Sequence, residues 1–230
     1  MLTLEGVRLA RGSWNLSADL TVMAGSRVAV IGPSGAGKST LLDLIAGFAD
    51  PDVGRVIWNG TLLTGLPPGA RPTSLLFQDG NLLPHLTAFQ NVALGLRPSL
   101  RLSSDEAHRV RASLSRVGLN GFADRKPGAL SGGQRSRVAL ARMLLRAEPL
   151  VLLDEPFAAL GPALKSEILA LLLELVAETS ATLLMVTHDP DDARALGDQT
   201  ILVADGIAHP PQDTRTLFAN PPTALTAYLG

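Results

Sequence analysis

The run Gly32-Pro33-Ser34-Gly35-Ala36-Gly37-Lys38-Ser39-Thr40 fits the pattern G-x-x-x-x-G-K-[ST]. Glycines at these intervals let successive backbone N–H groups turn inward around a phosphate, while the following helix presents its positive N-terminus to it. Lys38 then reaches the β and γ phosphates of a nucleotide, and the Ser39 hydroxyl ligates Mg²⁺. The flanks are what this chemistry requires. The β-branched stretch Arg27 to Ile31 enters the loop as a strand, and the apolar Leu41-Leu42-Asp43-Leu44-Ile45-Ala46 leaves it as a helix.

A second group ends an apolar run. Leu150-Val151-Leu152-Leu153-Asp154-Glu155 brings two adjacent carboxylates to the C-terminal end of a buried strand. Acidic pairs end many strands, but beside a phosphate loop this one reads as a Walker B element. Asp154 is expected on Mg²⁺ through water, and Glu155 next to the γ phosphate, where it polarises the attacking water. A third group, Leu130-Ser131-Gly132-Gly133-Gln134, opens a helix through Arg135, Val138, Leu140, Ala141 and Leu144. A serine and two glycines at a helix N-terminus make a second anion-binding surface, yet one chain presents its own loop to only one phosphate chain. The plain alternative is a flexible hinge capped by Ser131.

The elements that must position these groups alternate strand and helix. Leu2 to Leu9 and Ala18 to Val22 read as N-terminal strands, and Asn59-Gly60 between apolar runs predicts a type I′ hairpin, so an antiparallel sheet is appended to the strand–loop–helix unit. Leu150 to Leu153, Thr182 to Val186 and Thr200 to Val203 are continuous apolar runs, as in a parallel sheet buried on both faces. Ala163 to Ala177 and Pro190 to Leu196 carry helical spacing between them, which is the α/β signature. Leu82 to Leu130 breaks the alternation: it has no convincing strand, and Ser103-Ser104-Asp105-Glu106 is a capping box for a helix that should stop near Gly118. The expected organisation is one domain, with 1–79 and 131–230 as nucleotide-binding core and β-subdomain and 80–130 as a helical insertion.

Composition narrows the setting. Twenty basic against twenty-one acidic side chains give a net charge of −1, so no global field draws the chain to nucleic acid. With no cysteine, thiolate metal sites and thiol redox chemistry are excluded. The opening Met-Leu-Thr-Leu-Glu5 lacks a basic stretch leading into an apolar one, and the uncharged run from Asp79 to Arg97 holds Asn81, Pro84, His85, Gln90 and Asn91. Neither a secretory signal nor a transmembrane helix is expected, which predicts a cytoplasmic chain.

Leu-Ser-Gly-Gly-Gln at 130–134, placed 24 residues before Asp154, resembles the signature of ABC transporter ATP-binding subunits, and the resemblance covers nearly the whole chain. Gln78, 40 residues after Lys38, matches the family's Q-loop, and His188 in Val186-Thr187-His188-Asp189 its switch histidine. The resemblance implies an α/β P-loop NTPase fold: a RecA-like parallel-sheet core, an N-terminal antiparallel β-subdomain and an inserted α-helical subdomain. It implies ATP and Mg²⁺, with Gln78 on the metal and the water and His188 on the γ phosphate. It also implies a head-to-tail homodimer in which each of two ATP molecules meets one chain's P-loop and the other chain's Ser131, Gly133 and Gln134. An integral-membrane permease would seat at Leu82-Leu83-Pro84-His85-Leu86-Thr87, with a periplasmic solute-binding protein acting through it. The chain would then lie on the cytoplasmic face of the cell membrane.

Two departures stand out. The run after Walker B usually reads Ser-Ala-Leu-Asp in the family and here reads Ala158-Ala159-Leu160-Gly161, so a carboxylate expected at the dimer interface is missing. Either the interface is weakened, or it has adapted to a glycine with positive φ or close packing. The adenine-stacking aromatic falls near Arg11, with Trp14 the only nearby ring, so either side chain could meet the base. Phe77-Gln78-Asp79-Gly80-Asn81 through Thr87, and Asn91 to Leu96, look most like the ATP-binding subunits of bacterial thiamine importers. The rival readings are a non-transport ATPase of the same family and a weakened regulatory ATP binder.

Overall fold

The computed structural model describes every residue except 78–80, 159 and 230, and every side chain among these except 227 and 229. The alternating N-terminal segment forms β1 (Leu2–Arg11) and β2 (Trp14–Val22), antiparallel across Gly12-Ser13 with Arg11 opposite Trp14. These strands run closer to the turn than their apolar pattern foretells, because Gly12 takes φ 61 and lets two residues close the hairpin. After β3 (Arg27–Ile31) and α1 (Lys38–Ala46) come β4 (Val53–Trp58) and β5 (Thr61–Leu62). Asn59 and Gly60 between them both take positive φ, 47° and 81°, and Trp58 faces Thr61, the type I′ geometry expected of an Asn-Gly pair.

The chain continues through β6 (Thr73–Leu76), α2 (Ala88–Ala93), α3 (Ser104–Arg116), α4 (Gly132–Arg146), β7 (Leu150–Asp154), α5 (Pro162–Thr179), β8 (Thr182–Val186), α6 (Pro190–Leu196), β9 (Gln199–Ala204), β10 (Ile207–Ala208), β11 (Gln212–Asp213), α7 (Thr214–Ala219) and α8 (Thr223–Leu229). By contact it forms two units. The first comprises Met1–Thr73, Leu150–Glu155 and Ala181–Gly230; the second comprises Ser74–Pro149 and Pro156–Ser180.

In the first unit the strand order is β5-β4-β1-β2-β10-β9-β3-β8-β7, with β11 pairing antiparallel with Gln199 and Thr200 at the start of β9. Strands β9, β3, β8 and β7 are parallel, and β8 is buried at every position, as continuous apolar runs require when both faces are covered. The β1, β2, β4 and β5 ladder is antiparallel. An α/β parallel core with an antiparallel β-subdomain is therefore the architecture. Arg71, buried to 2% exposure, fastens the helix behind the glycine loop: its Nη1 donates to the Leu44 and Ile45 carbonyls at 2.7 and 2.9 Å. Those carbonyls lie in the last turn of α1, where no intrahelical donor reaches them and a cation also complements the helix dipole.

The second unit is helical, with α2, α3, α4 and α5 packed on one another. Ser103 and Glu106 exchange the two hydrogen bonds of a capping box at the start of α3, as their spacing predicts. Thr87 and Gln90 do the same for α2, and the loop before it is stitched by Asn91, which accepts from Leu83 N–H and donates to the Leu83, Leu86 and Thr87 carbonyls. Among the described residues no helix is long and apolar enough to cross a membrane.

Candidate nucleotide site

The glycine loop leaves β3 with Gly32 at φ 148°, where a Cβ would stand 1.9 Å from the Val203 carbonyl oxygen. Gly37, at φ 108°, ends the loop, and a Cβ there would meet the Trp14 ring at 2.7 Å. Both positions therefore admit only glycine. Lys38, the first residue of α1, is 8% exposed, and its Nζ donates to the Gly32 and Pro33 carbonyls at 2.8 and 2.9 Å. Burial pushes its pKa down, while Glu155 and Asp154 pull it back up. A buried ammonium held by carbonyls and faced by carboxylates is an incomplete partner for an anion. The loop opens on a cleft of about 540 Å³, lined among others by Arg11, Trp14, Ser34, Thr40 and Glu155.

At the end of β7 the Asp154 carboxyl lies close enough to the Ser39 hydroxyl for it to favour the ionised form. Burial raises the Asp154 pKa most, with Glu155 adding to it; Ser39 and Lys38 hold it down. Asp43, four residues beyond Ser39 on α1, is raised by its own burial and then by Asp154. This donor set fits Mg²⁺: hard oxygen ligands, partly desolvated, whose ionised forms lack enough positive charge nearby. Asp43 was not singled out by sequence; the only available signal is its i, i+4 spacing from Ser39, which puts both on one helix face.

The sign of the Asp43 shift gives a test. A carboxyl whose folded pKa is raised is destabilising when ionised, so that penalty is present at neutral pH and disappears as pH falls through the carboxylate range. Asp43→Asn should raise the melting temperature of the nucleotide-free chain at pH 7, with the gain shrinking toward pH 4. An unchanged or lower melting temperature at pH 7 contradicts the arrangement.

Glu155 follows Asp154 with φ 44°, and its N–H donates to the Val186 carbonyl at 3.1 Å. A left-handed glutamate is strained, and the turn aims its carboxylate at His188, whose Nδ1 lies 2.9 Å from Glu155 Oε2. The His188 side chain is 59% exposed, the Glu155 side chain 29%. Thus Lys38, Ser39, Asp154, Glu155 and His188, drawn from three places in the sequence, meet in the first unit. Gln78 lies outside the described residues.

Of the two residues considered for the base, Arg11 donates to its own Ala10 carbonyl and lies 3.7 Å from Asp52, whereas the Trp14 Nε1 donates to the Gly35 carbonyl at 3.2 Å and its ring lies on the glycine loop. In the second unit Ser131 caps α4: its Oγ accepts from Gln134 N–H, and the Gln134 side chain accepts from Ser131 N–H. Ser131 is exposed; Gly133 is buried, and a Cβ on it would meet Leu164 at 2.7 Å. The serine, the glycines and the first turn of α4 form the anion-accepting helix terminus that their types suggest, built as a rigid cap rather than a flexible hinge.

Residues 16–158 match a family model described as ABC transporter. The chain is 60% identical to the "Thiamine import ATP-binding protein ThiQ" of Cereibacter sphaeroides and 55% identical to that of a Ruegeria species, in each case over 230 residues covering all of both chains. Among solved structures it resembles a dimeric post-hydrolysis ATP-binding cassette bound to ADP and Pi, with a TM-score of 0.79 and 33% identity over 94% of this chain and 99% of that one. It also resembles cbiO1 from Clostridium perfringens, part of the ABC transporter complex cbiONQ, with a TM-score of 0.82 and 28% identity over 95% and 90% of the two chains. Matched over more than half its length by the family model, and sharing a phosphate loop, a Walker B pair and a capped signature helix, the chain belongs to the ABC transporter family as an ATP-hydrolysing cassette.

Proposed function

We propose that this chain is the ATP-hydrolysing subunit of a membrane importer for thiamine. The observation that carries the ATPase part is that Lys38, Ser39 and Glu155 line one cleft at the mouth of the glycine loop, with Asp154 beside Ser39 and His188 against Glu155. The full-length relatives named as thiamine import proteins support the cargo. Backbone N–H groups of Ser34 to Thr40 and the Lys38 ammonium hold the phosphates. Trp14 stacks on the adenine, since Arg11 is engaged with Ala10 and Asp52. Ser39, Asp154 and Gln78 hold Mg²⁺, which when bound neutralises charge on the β and γ phosphates. Glu155 draws a proton from the attacking water, and His188 fixes the γ phosphate beside it.

Two copies join head to tail, so that Ser131, Gly133 and Gln134 of one complete the phosphate site of the other. ATP closes the dimer; loss of the γ phosphate releases it, and a membrane permease docked on residues 82–87 is driven between two states. A periplasmic solute-binding protein delivers the cargo, and the chain sits peripherally on the cytoplasmic face of the cell membrane. Co-purified with its permease in lipid nanodiscs, the chain should hydrolyse ATP faster when thiamine-loaded binding protein is added. Stimulation by DNA or ribosomes instead, with no membrane partner retained, would replace the transport reading.

A second reading, a slowed regulatory ATPase, rests on Gly161 standing where the family has an aspartate. Gly161 is the N-cap of α5 at φ −66° and ψ 157°, with no side-chain cap, and a Cβ on it meets nothing within 4 Å. An account resting on positive φ or close packing within the chain is thereby removed. Gly161→Asp supplies the missing N-cap and should stabilise the chain by about 0.3–1 kcal/mol, or roughly 1–3 °C in melting temperature. With a carboxylate restored at the interface, ATPase activity should rise on the same preparation. A joint loss of rate and stability would contradict this.

A further inference from the structure

The exposed imidazole of His188 has little side-chain packing to hold it, so its place against Glu155 depends on the main chain that carries it. That main chain is fastened on both sides. Thr187 N–H donates to the Val30 carbonyl at 3.1 Å, and the Thr187 hydroxyl donates to Asp192 at 2.6 Å while accepting from Asp189 N–H at 3.0 Å. Asp189 caps α6 by accepting from Asp191 N–H. At the His188 carbonyl itself, the partner comes from the C-terminal helix: the Tyr228 hydroxyl donates to it at 2.6 Å, across 40 residues of sequence.

Tyr228 is the chain's only tyrosine. It is seated by Leu225, fully buried and three residues earlier on the same face of α8. The same C-terminal segment packs on the helix that follows His188, with α7 against α6 and Arg194 over the Phe218 ring. Burial, and then Glu155 and Asp189, raise the phenol pKa, so the hydroxyl stays a donor across the working range.

We propose that Tyr228 is a positioning residue for ATP hydrolysis: from the C-terminal helix it holds the His188 carbonyl and so keeps the imidazole on Glu155. This rests on the reading of Glu155 and His188 as the hydrolytic pair. Phenylalanine at 228 keeps the ring and removes only the donor, which makes the test specific. Single-turnover MgATP hydrolysis, ATP affinity and melting temperature are measured on the full chain for Tyr228→Phe, His188→Ala and the double variant.

The expected result is a loss of about 3- to 10-fold in the hydrolysis rate for Tyr228→Phe, the size of one neutral hydrogen bond, with ATP affinity unchanged and the chain still fully folded at the assay temperature, its melting temperature lower by no more than about 4 °C. In the His188→Ala background the same change should have no further effect, because two residues acting as one unit are not additive. A wild-type rate in Tyr228→Phe, where His188→Ala is impaired, overturns the role of Tyr228 alone. An equal loss in both backgrounds, or a loss that tracks melting temperature and affinity, also overturns it. A wild-type rate in His188→Ala overturns the hydrolytic pair and this proposal with it.

Discussion

Lys38→Ala should weaken ATP binding by at least about 100-fold, because a phosphate chain seated in the loop would lose a buried cation and keep its own charge unpaired. The fold should hardly notice. Burial already lowers the Lys38 pKa, so its charge is an unfavourable feature of the nucleotide-free chain, and removing it frees two carbonyls at the mouth of an open cleft. The two effects are therefore separable. Calorimetric titration should show affinity lost while the melting temperature without nucleotide stays within about 3 °C, about 1 kcal/mol on the scale of a chain this size. Affinity preserved in a folded Lys38→Ala chain would remove the loop from the phosphate role.

Glu155→Gln should lower ATP turnover by about 10² to 10⁴ while leaving ATP affinity in place. Glutamine is isosteric and can still bond His188, so the left-handed turn at residue 155 and its reach across to the histidine persist. Only the capacity to take a proton from water is lost. ATP that is bound and not cleaved should hold two copies together, and size-exclusion chromatography with MgATP should show a dimer that the wild type forms only in passing. A monomer with bound ATP, or undiminished hydrolysis, would remove Glu155 from the role of general base.

Much of this is written locally. The phosphate loop, the type I′ turn at Asn59-Gly60 and the capping boxes at Ser103 and Ser131 are short patterns in which each residue type answers a backbone requirement within four positions. The buried parallel strands announce themselves because lateral packing on both faces leaves no polar alternation. Other contacts leave no such trace. Arg71 reaches the end of α1 from 26 residues away, and Tyr228 reaches His188 from 40, so spacing along the chain carries no sign of either. Asp43 looks like an ordinary helix-surface carboxylate until β7 brings Asp154 toward it. The choice between Arg11 and Trp14 likewise turns on Asp52, which holds the guanidinium from across a strand pair.

If the phosphate loop of one copy and the signature helix of another close on the same ATP, thiols placed on the two should meet only across the dimer. Because the chain has no cysteine of its own, engineered thiols can test it without background. Ser34→Cys on the loop and Ser131→Cys at the start of α4 are combined in a Glu155→Gln chain and oxidised with and without MgATP. Both positions are exposed in the single chain. The account predicts a covalent dimer that forms rapidly with ATP, slowly with ADP, and not when either cysteine is absent. A chain that stays monomeric under oxidation with ATP, or that cross-links equally without nucleotide, would contradict it.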